Sequence, residues 1–199
     1  MSNQSSTVTR EAMTGMASGV MFMALFGTMW AFTGFGGLQV LGSTALITIP
    51  LLPGTTLFMA GLFLVRTSRR LPPQADTTDA AAGKKTKRLF NLIFAVQGIA
   101  IAITVLLCVN TGRSELIPII IALIVGLHFF PLARLFQVRL YYGTGGLLCL
   151  AAVATWLFLP AELTIGDYEI ATYLTVTGFS SAIILWGSGL AIWRMGRLL

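Results

Sequence analysis

Charge is scarce in this sequence. Only 10% of its 199 residues are Asp, Glu, Lys or Arg, against about 25% in a soluble domain, too few to cover a water-facing surface. Histidine occurs once and cysteine twice. A zinc site needs three or four ligands and a bis-histidine haem needs two histidines, so no metal and no cofactor is assigned. Cys108 and Cys149 fall inside apolar runs and read as small core residues rather than a disulfide or metal pair. No phosphate-binding loop, nucleophile elbow, HExxH or paired-cysteine motif is present. The glycine-rich YYGTGG of Tyr141–Gly146 lacks the preceding strand of a dinucleotide fold. The seven carboxylates, Glu11, Asp76, Asp79, Glu115, Glu162, Asp167 and Glu169, all avoid the interiors of the apolar runs. That argues against carboxylate-driven ion coupling and against two-carboxylate hydrolysis.

What is there in abundance is apolar length. The chain is 56% hydrophobic, with a mean hydropathy of +0.85. A spanning helix needs roughly 20 predominantly apolar residues, and the sequence supplies six such stretches, at 12–35, 44–65, 89–110, 117–136, 140–160 and 170–193. The expected fold is all-α: a polytopic membrane bundle of six transmembrane helices. Residues 1–11 form a short polar tail, 12–199 a single domain, and 66–88 a basic, Pro-Pro-containing linker. The first apolar run is longer than the 7–15 residues typical of a signal-peptide core, so it reads as an uncleaved first span.

The net charge of +6 does not point to nucleic acid, because the basic residues lie between the apolar runs. With both termini cytoplasmic, the inner segments hold Arg10, Arg66, Arg69, Arg70, Lys84, Lys85, Lys87, Arg88, Arg134, Arg139, Arg194 and Arg197, leaving only Arg113 outside. The outer loops hold Glu115, Glu162, Asp167 and Glu169. The positive-inside rule therefore places both ends of the chain in the cytoplasm. The expected location is the cell membrane, multi-pass, and specifically a bacterial inner membrane.

Small residues mark packing faces. Gly15, Gly19, Gly27 and Ala31 share one row of four-residue spacing on the first span, and Gly178 and Gly187 belong to a sixth span rich in small and hydroxyl residues. Such rows let helices approach closely in lipid. Phe22, Phe26 and Trp30 form a neighbouring row, which packing also explains. Pro50 and Pro53 in the second span remove backbone donors, predicting a broken or kinked start unless they sit harmlessly near its beginning.

The one ionisable group deep in a span is His128. At about 1.5 Å per residue it lies about 12 Å from the inner end of the fourth span, and Gln97 lies about 12 Å into the third. A short turn makes those spans neighbours, so a hydrogen bond between Gln97 and His128 is expected. Pro131 displaces the carbonyl of Leu127, offering another acceptor; Trp186 and Ser181 fall at similar depth. Two readings stand: a ligand-binding site of His128, Gln97, Pro131, Leu127, Trp186 and Ser181, or a structural histidine that holds a proline kink. Arg134, near the membrane surface, is expected to snorkel.

The segment GLHFFPLARLF (Gly126–Phe136) resembles small bacterial six-span membrane proteins of unknown function, which carry a similar G-L-H-F-x-P-L-A run, and FGTMWAFTGFGGL in the first span belongs to the same likeness. The resemblance implies a six-span fold and no particular activity. Size and span count are also similar to the substrate-binding subunits of energy-coupling-factor vitamin transporters. Three functions are weighed: a transporter or channel for a small neutral or weakly charged solute; a non-transporting subunit or regulator acting on a membrane protein partner or as a homo-oligomer; and an intramembrane enzyme. The last is disfavoured, since a lone histidine has no carboxylate, nucleophile or metal set to work with, and no catalytic residue is assigned.

Overall fold

The computed structural model describes residues 10–38, 44–70, 79–166 and 168–197. Most of the N-terminal tail (1–9), part of the first connection (39–43) and the middle of the long polar segment (71–78) lie outside the described residues. The chain forms α1 (Arg10–Gly37), α2 (Thr44–Ser68), α3 (Asp79–Asn110), α4 (Ile117–Phe136), α5 (Leu140–Phe158) and α6 (Thr172–Arg197), with a 3-10 turn at Ser114–Leu116 and two strands, β1 (Glu162–Ile165) and β2 (Tyr168–Ala171). All six helices are long and apolar enough to cross a membrane. The fold is an all-α bundle of six such helices. In lipid each backbone polar group must be paired within its own segment, so apolar runs become helical even where β-branched residues crowd, as in Ile117–Val125 of α4.

Helix ends follow local chemistry. Pro118 sits in the first turn of α4, where its missing N–H is not needed. The helix stops where Gln137 takes a left-handed φ of 55° and donates its N–H to the Ala133 carbonyl. Beyond α5 the acidic loop is a two-stranded hairpin. Ile165 pairs with Tyr168, leaving a two-residue turn in which Gly166 has φ of 63°. Glycine at the first turn position suits the hairpin twist.

Several expectations change at this level. The linker at 66–88 is shorter than its composition suggests, because α2 runs to Ser68 and α3 begins at Asp79. Lys84, Lys85, Lys87 and Arg88 therefore ride on a helical extension of the third span. Helix α2 passes through Pro50 and Pro53, and α4 through Pro131, without interruption. The fifth span ends at Phe158, and the sixth starts at Thr172 and runs to Arg197.

Neighbours can be read from close contacts. Thr14 donates to Ser68 at 3.3 Å, a Cβ on Gly61 would meet Met21, and one on Gly54 would meet Thr28. Numbers rise along α1 as they fall along α2, so the two are antiparallel. The same holds for α1 against α6: a Cβ on Gly19 would lie 4.0 Å from Ile192, on Gly27 2.6 Å from Trp186, and on Gly34 2.9 Å from Phe179. The α1–α6 and α1–α2 contacts are the most extensive, followed by α4–α5; α3–α4 and α5–α6 are nearly equal, and those of α6 with α2 and α4 are smaller. We group α1, α2 and α6 around the α1 contacts and α3, α4 and α5 around α4, and call the surface between the two groups, chiefly α5 against α6, the seam.

Candidate functional site

His128 is 9% exposed and sits in a chain of rings. Phe94 of α3 meets it edge-on at 4.8 Å, and Phe129 lies at 5.9 Å. Phe94 continues to Phe22 of α1 at 6.1 Å and to Phe90 at 4.6 Å, while Phe129 continues to Tyr141 of α5 at 5.7 Å. The Tyr141 hydroxyl reaches α1, where a Cβ on Gly19 would come within 2.8 Å of it. The cluster therefore ties α3, α4 and α5 to α1 across the seam. The expected Gln97–His128 hydrogen bond is not formed: Gln97 Oε1 and His128 Nδ1 are both buried without a partner. The imidazole is held by aromatic edges instead, because Phe94, one helical turn before Gln97, takes the place beside it.

The other sequence-derived site residues disperse. Leu127 is 60% exposed, and Pro131 is exposed as well, so both side chains face outward from the bundle. Trp186 packs on Gly27 of α1, with its Nε1 buried and unpartnered. Ser181 is buried on α6. Among the packing residues, Gly19, Gly27 and Gly178 lie where a neighbour leaves no room for a Cβ, whereas Gly15 and Gly187 have open space. Ala31 is buried. Cys108 and Cys149 are free thiols.

The seam carries a second polar set. Thr144 of α5 and Ser188 of α6 share a buried hydroxyl–hydroxyl bond of 2.7 Å. Seven and eleven residues are close to two and three whole helical turns. Ser181 and Thr177 therefore share the Ser188 face of α6, and Thr155 shares the Thr144 face of α5. Counting away from the Thr144–Ser188 contact on antiparallel helices brings Thr155 level with Thr177. Thr177 and Ser181 are 0% and 1% exposed, yet both hydroxyls lack a partner.

Helical threonines elsewhere satisfy themselves by donating to the carbonyl four residues back, as Thr28 does to Ala24 at 2.8 Å and Thr155 to Ala151 at 2.8 Å. For Ser181 that carbonyl is Thr177 O, which already accepts from Ser180 at 3.3 Å. Each buried polar group left unmet costs about 1–3 kcal/mol. Among the described residues seven side-chain atoms are in this state, five of them on α6: Thr175 Oγ1, Thr177 Oγ1, Ser181 Oγ, Trp186 Nε1 and Trp193 Nε1.

Sequence reasoning found His128, Gln97 and Ser181 but missed Phe90, Phe94, Thr144, Thr155 and Thr177 as companions. The available signal was spacing: Phe90, Phe94 and Gln97 recur at four and three residues, one stripe of a helix. At the basic end of the bundle the α4–α5 turn also forms a cleft of about 380 Å³ lined by Arg134, Gln137, Arg139 and Tyr142. Comparison with known proteins finds no matching family, no matching characterised sequence and no matching solved structure.

Proposed function

We infer that this six-span protein is a transporter or channel for a small neutral polar solute in a bacterial inner membrane, with both termini cytoplasmic. The solute passes along the seam between the two helix groups. The observation that carries this reading is the set of buried polar atoms without partners: Thr177 Oγ1 and Ser181 Oγ on the Ser188 face of α6, and His128 Nδ1 and Gln97 Oε1 on α4 and α3. Unmet hydrogen-bonding groups inside a membrane protein are expensive, and a passing hydroxyl or amide would satisfy them. Sites between helix groups near mid-membrane suit transport by relative movement of those groups.

The test is solute flux into proteoliposomes, followed by light scattering with glycerol and urea as probes. Thr177→Val and Ser181→Ala, combined, keep volume and remove two hydroxyls. His128→Phe keeps the edge-on packing against Phe94 and removes both ring nitrogens. Each is expected to slow flux about tenfold or more, since each removes at least one hydrogen bond of about 1.4 kcal/mol in the passage. Vesicles with the native protein that equilibrate no faster than empty ones would sink the reading. Variants that conduct like the native chain would remove the seam from it.

A second reading has one specific observation behind it. Helix α3 packs mainly on α4 and leaves Leu92, Val96, Ile99, Ile103 and Leu106 exposed. A helix so peripheral suits docking onto another membrane protein, and α3 would then be the face to mutate.

A further inference from the structure

The cleft at the α4–α5 turn has a chemistry that the proposed passage does not use. It is lined by Ala133, Arg134, Gln137, Arg139 and Tyr142. Neither arginine is ion-paired with any described residue. They are set by the turn itself. Arg134 belongs to the last turn of α4, Gln137 reverses the chain with its φ of 55°, and Arg139 is the residue from which α5 starts. No side chain caps that start; the Tyr141 and Tyr142 N–H groups donate to the Val138 and Arg139 carbonyls, so the two arginines supply the positive charge there. A planar guanidinium pair matches a phosphate bidentately.

The cleft does not stand alone. The surface of α4 and α5 leading from it into the span is apolar and open. Phe130 lies 6.0 Å from Tyr142, ring to ring. Leu127 and Pro131 are exposed, and Gly143 and Gly146 have no neighbour within 4 Å of a Cβ. The two helices are themselves drawn together at Gly126 and Gly145, where a Cβ on Gly145 would lie 2.6 Å from the Gly126 carbonyl. The result is a cationic cleft beside an open apolar strip formed by Leu127, Phe130, Pro131, Gly143 and Gly146.

We propose that this cleft binds the phosphate of an anionic phospholipid, with an acyl chain lying on the Leu127–Phe130–Gly146 strip. A soluble phosphate would find the two guanidiniums but gain nothing from the strip. A zwitterionic lipid would fill the strip but carry its ammonium into a site with two cations. Only an anionic lipid answers both. The proposal does not rest on solute passage, and it holds for either orientation of the bundle.

The experiment is native mass spectrometry of the purified full-length protein, titrated with phosphatidylglycerol, phosphatidylcholine and glycerol 3-phosphate in parallel. Phosphatidylglycerol is expected to bind at the lowest concentration. The double variant Arg134→Gln/Arg139→Gln should weaken it roughly 30-fold, at about fivefold per guanidinium. Arg194→Gln/Arg197→Gln removes the same charge from the end of α6 and should leave it unchanged. All four side chains are exposed, so gel filtration should show every variant folded. Equal binding of phosphatidylcholine, equal loss in the α6 control pair, or glycerol 3-phosphate competing as well as the intact lipid would each overturn the proposal.

Discussion

Gly178→Ala and Gly187→Ala form a pair whose outcomes should differ sharply. Both glycines lie on α6, nine residues apart, and both look like packing residues in sequence. A Cβ on Gly178 would meet the Gly34 backbone nitrogen, with Gly34 Cα at 2.5 Å and the Trp30 carbonyl oxygen at 2.8 Å. All three contacts are backbone atoms of α1, so no rotamer change relieves them. Ordinary Cβ contacts begin near 3.4 Å, so α1 and α6 must part by nearly an ångström at this crossing. Their packing at the neighbouring Gly27–Trp186 contact loosens with it. Overpacking of this kind costs about 1–3 kcal/mol, and each 1.4 kcal/mol is about tenfold in the folded-to-unfolded ratio. Gly187 has nothing within 4 Å of its would-be Cβ. Alanine there adds a methyl group to the outer surface and improves helix propensity, by up to about 1 kcal/mol in water. Unfolding in mixed micelles with rising SDS, followed by tryptophan fluorescence, reads both. Equal stabilities, or a greater loss in Gly187→Ala, would refute the glycine-mediated α1–α6 crossing.

Cysteines placed at Gly83 on the extension of α3 and at Thr164 on the hairpin, in a chain whose Cys108 and Cys149 are replaced by alanine, should react with impermeant reagents from opposite sides, Gly83→Cys from the cytoplasm. The reverse pattern would invert the orientation. His128→Phe should leave unfolding stability unchanged or raise it by about 1–3 kcal/mol, since it removes a buried polar group with no partner; a marked loss would show that an imidazole nitrogen holds the bundle together.

Much of this architecture was legible from hydropathy because a membrane leaves the backbone few options. Span 4 emerges at Ile117–Phe136 with both ends as the sequence suggests, since Pro118 and the basic turn after Phe136 mark the boundaries chemically. Boundaries failed where polar sequence remained helical. Residues Asp79–Arg88 look like linker by composition, yet Ala80–Ala82 and the lysines are good helix formers that simply continue α3 outward. The hairpin was equally readable, since Glu162–Ile165 and Tyr168–Ala171 flank a Gly-Asp pair. Which glycines pack was not legible. Row position cannot distinguish Gly19 from Gly15, because the difference lies in which side of α1 each faces: Gly19 meets Tyr141, whereas Gly15 is exposed even though α6 runs on as far as Met13. The site was half legible for the same reason: burial of His128 follows from its span, but its partner depends on helix rotation, and α3 presents Phe94 rather than Gln97 to the ring.

The lengths of the connections between helices favour the seam as the place where the proposed transport movement would occur. Within α3–α4–α5 the links are short and structured, residues 111–116 and 137–139. The chain crosses between the groups only twice, through residues 69–78 and through 159–171 with its hairpin, and these are its two longest connections. Long links where groups meet and short ones within a group suit rigid-body displacement of one group against the other. The interfaces differ in kind as well. Glycine-mediated backbone contact locks α1 to α6, and separating them forfeits dispersion with nothing to replace it. Along the α5–α6 part of the seam, away from the Phe22–Phe94 and Gly19–Tyr141 contacts that tie the groups together, hydroxyls such as Thr144 and Ser188 can exchange one hydrogen-bond partner for a solute at little net cost. Joining those two positions should therefore stop the motion. Their side-chain oxygens are in direct contact at 2.7 Å, which makes the pair the natural place to test a disulfide between α5 and α6. Thr144→Cys/Ser188→Cys in the cysteine-free chain should lose solute flux on oxidation and recover it when a membrane-permeant phosphine reduces the bond. Full flux through the oxidised, fully cross-linked protein would show that the two groups do not part at this level, and the passage would have to be sought away from α5 and α6.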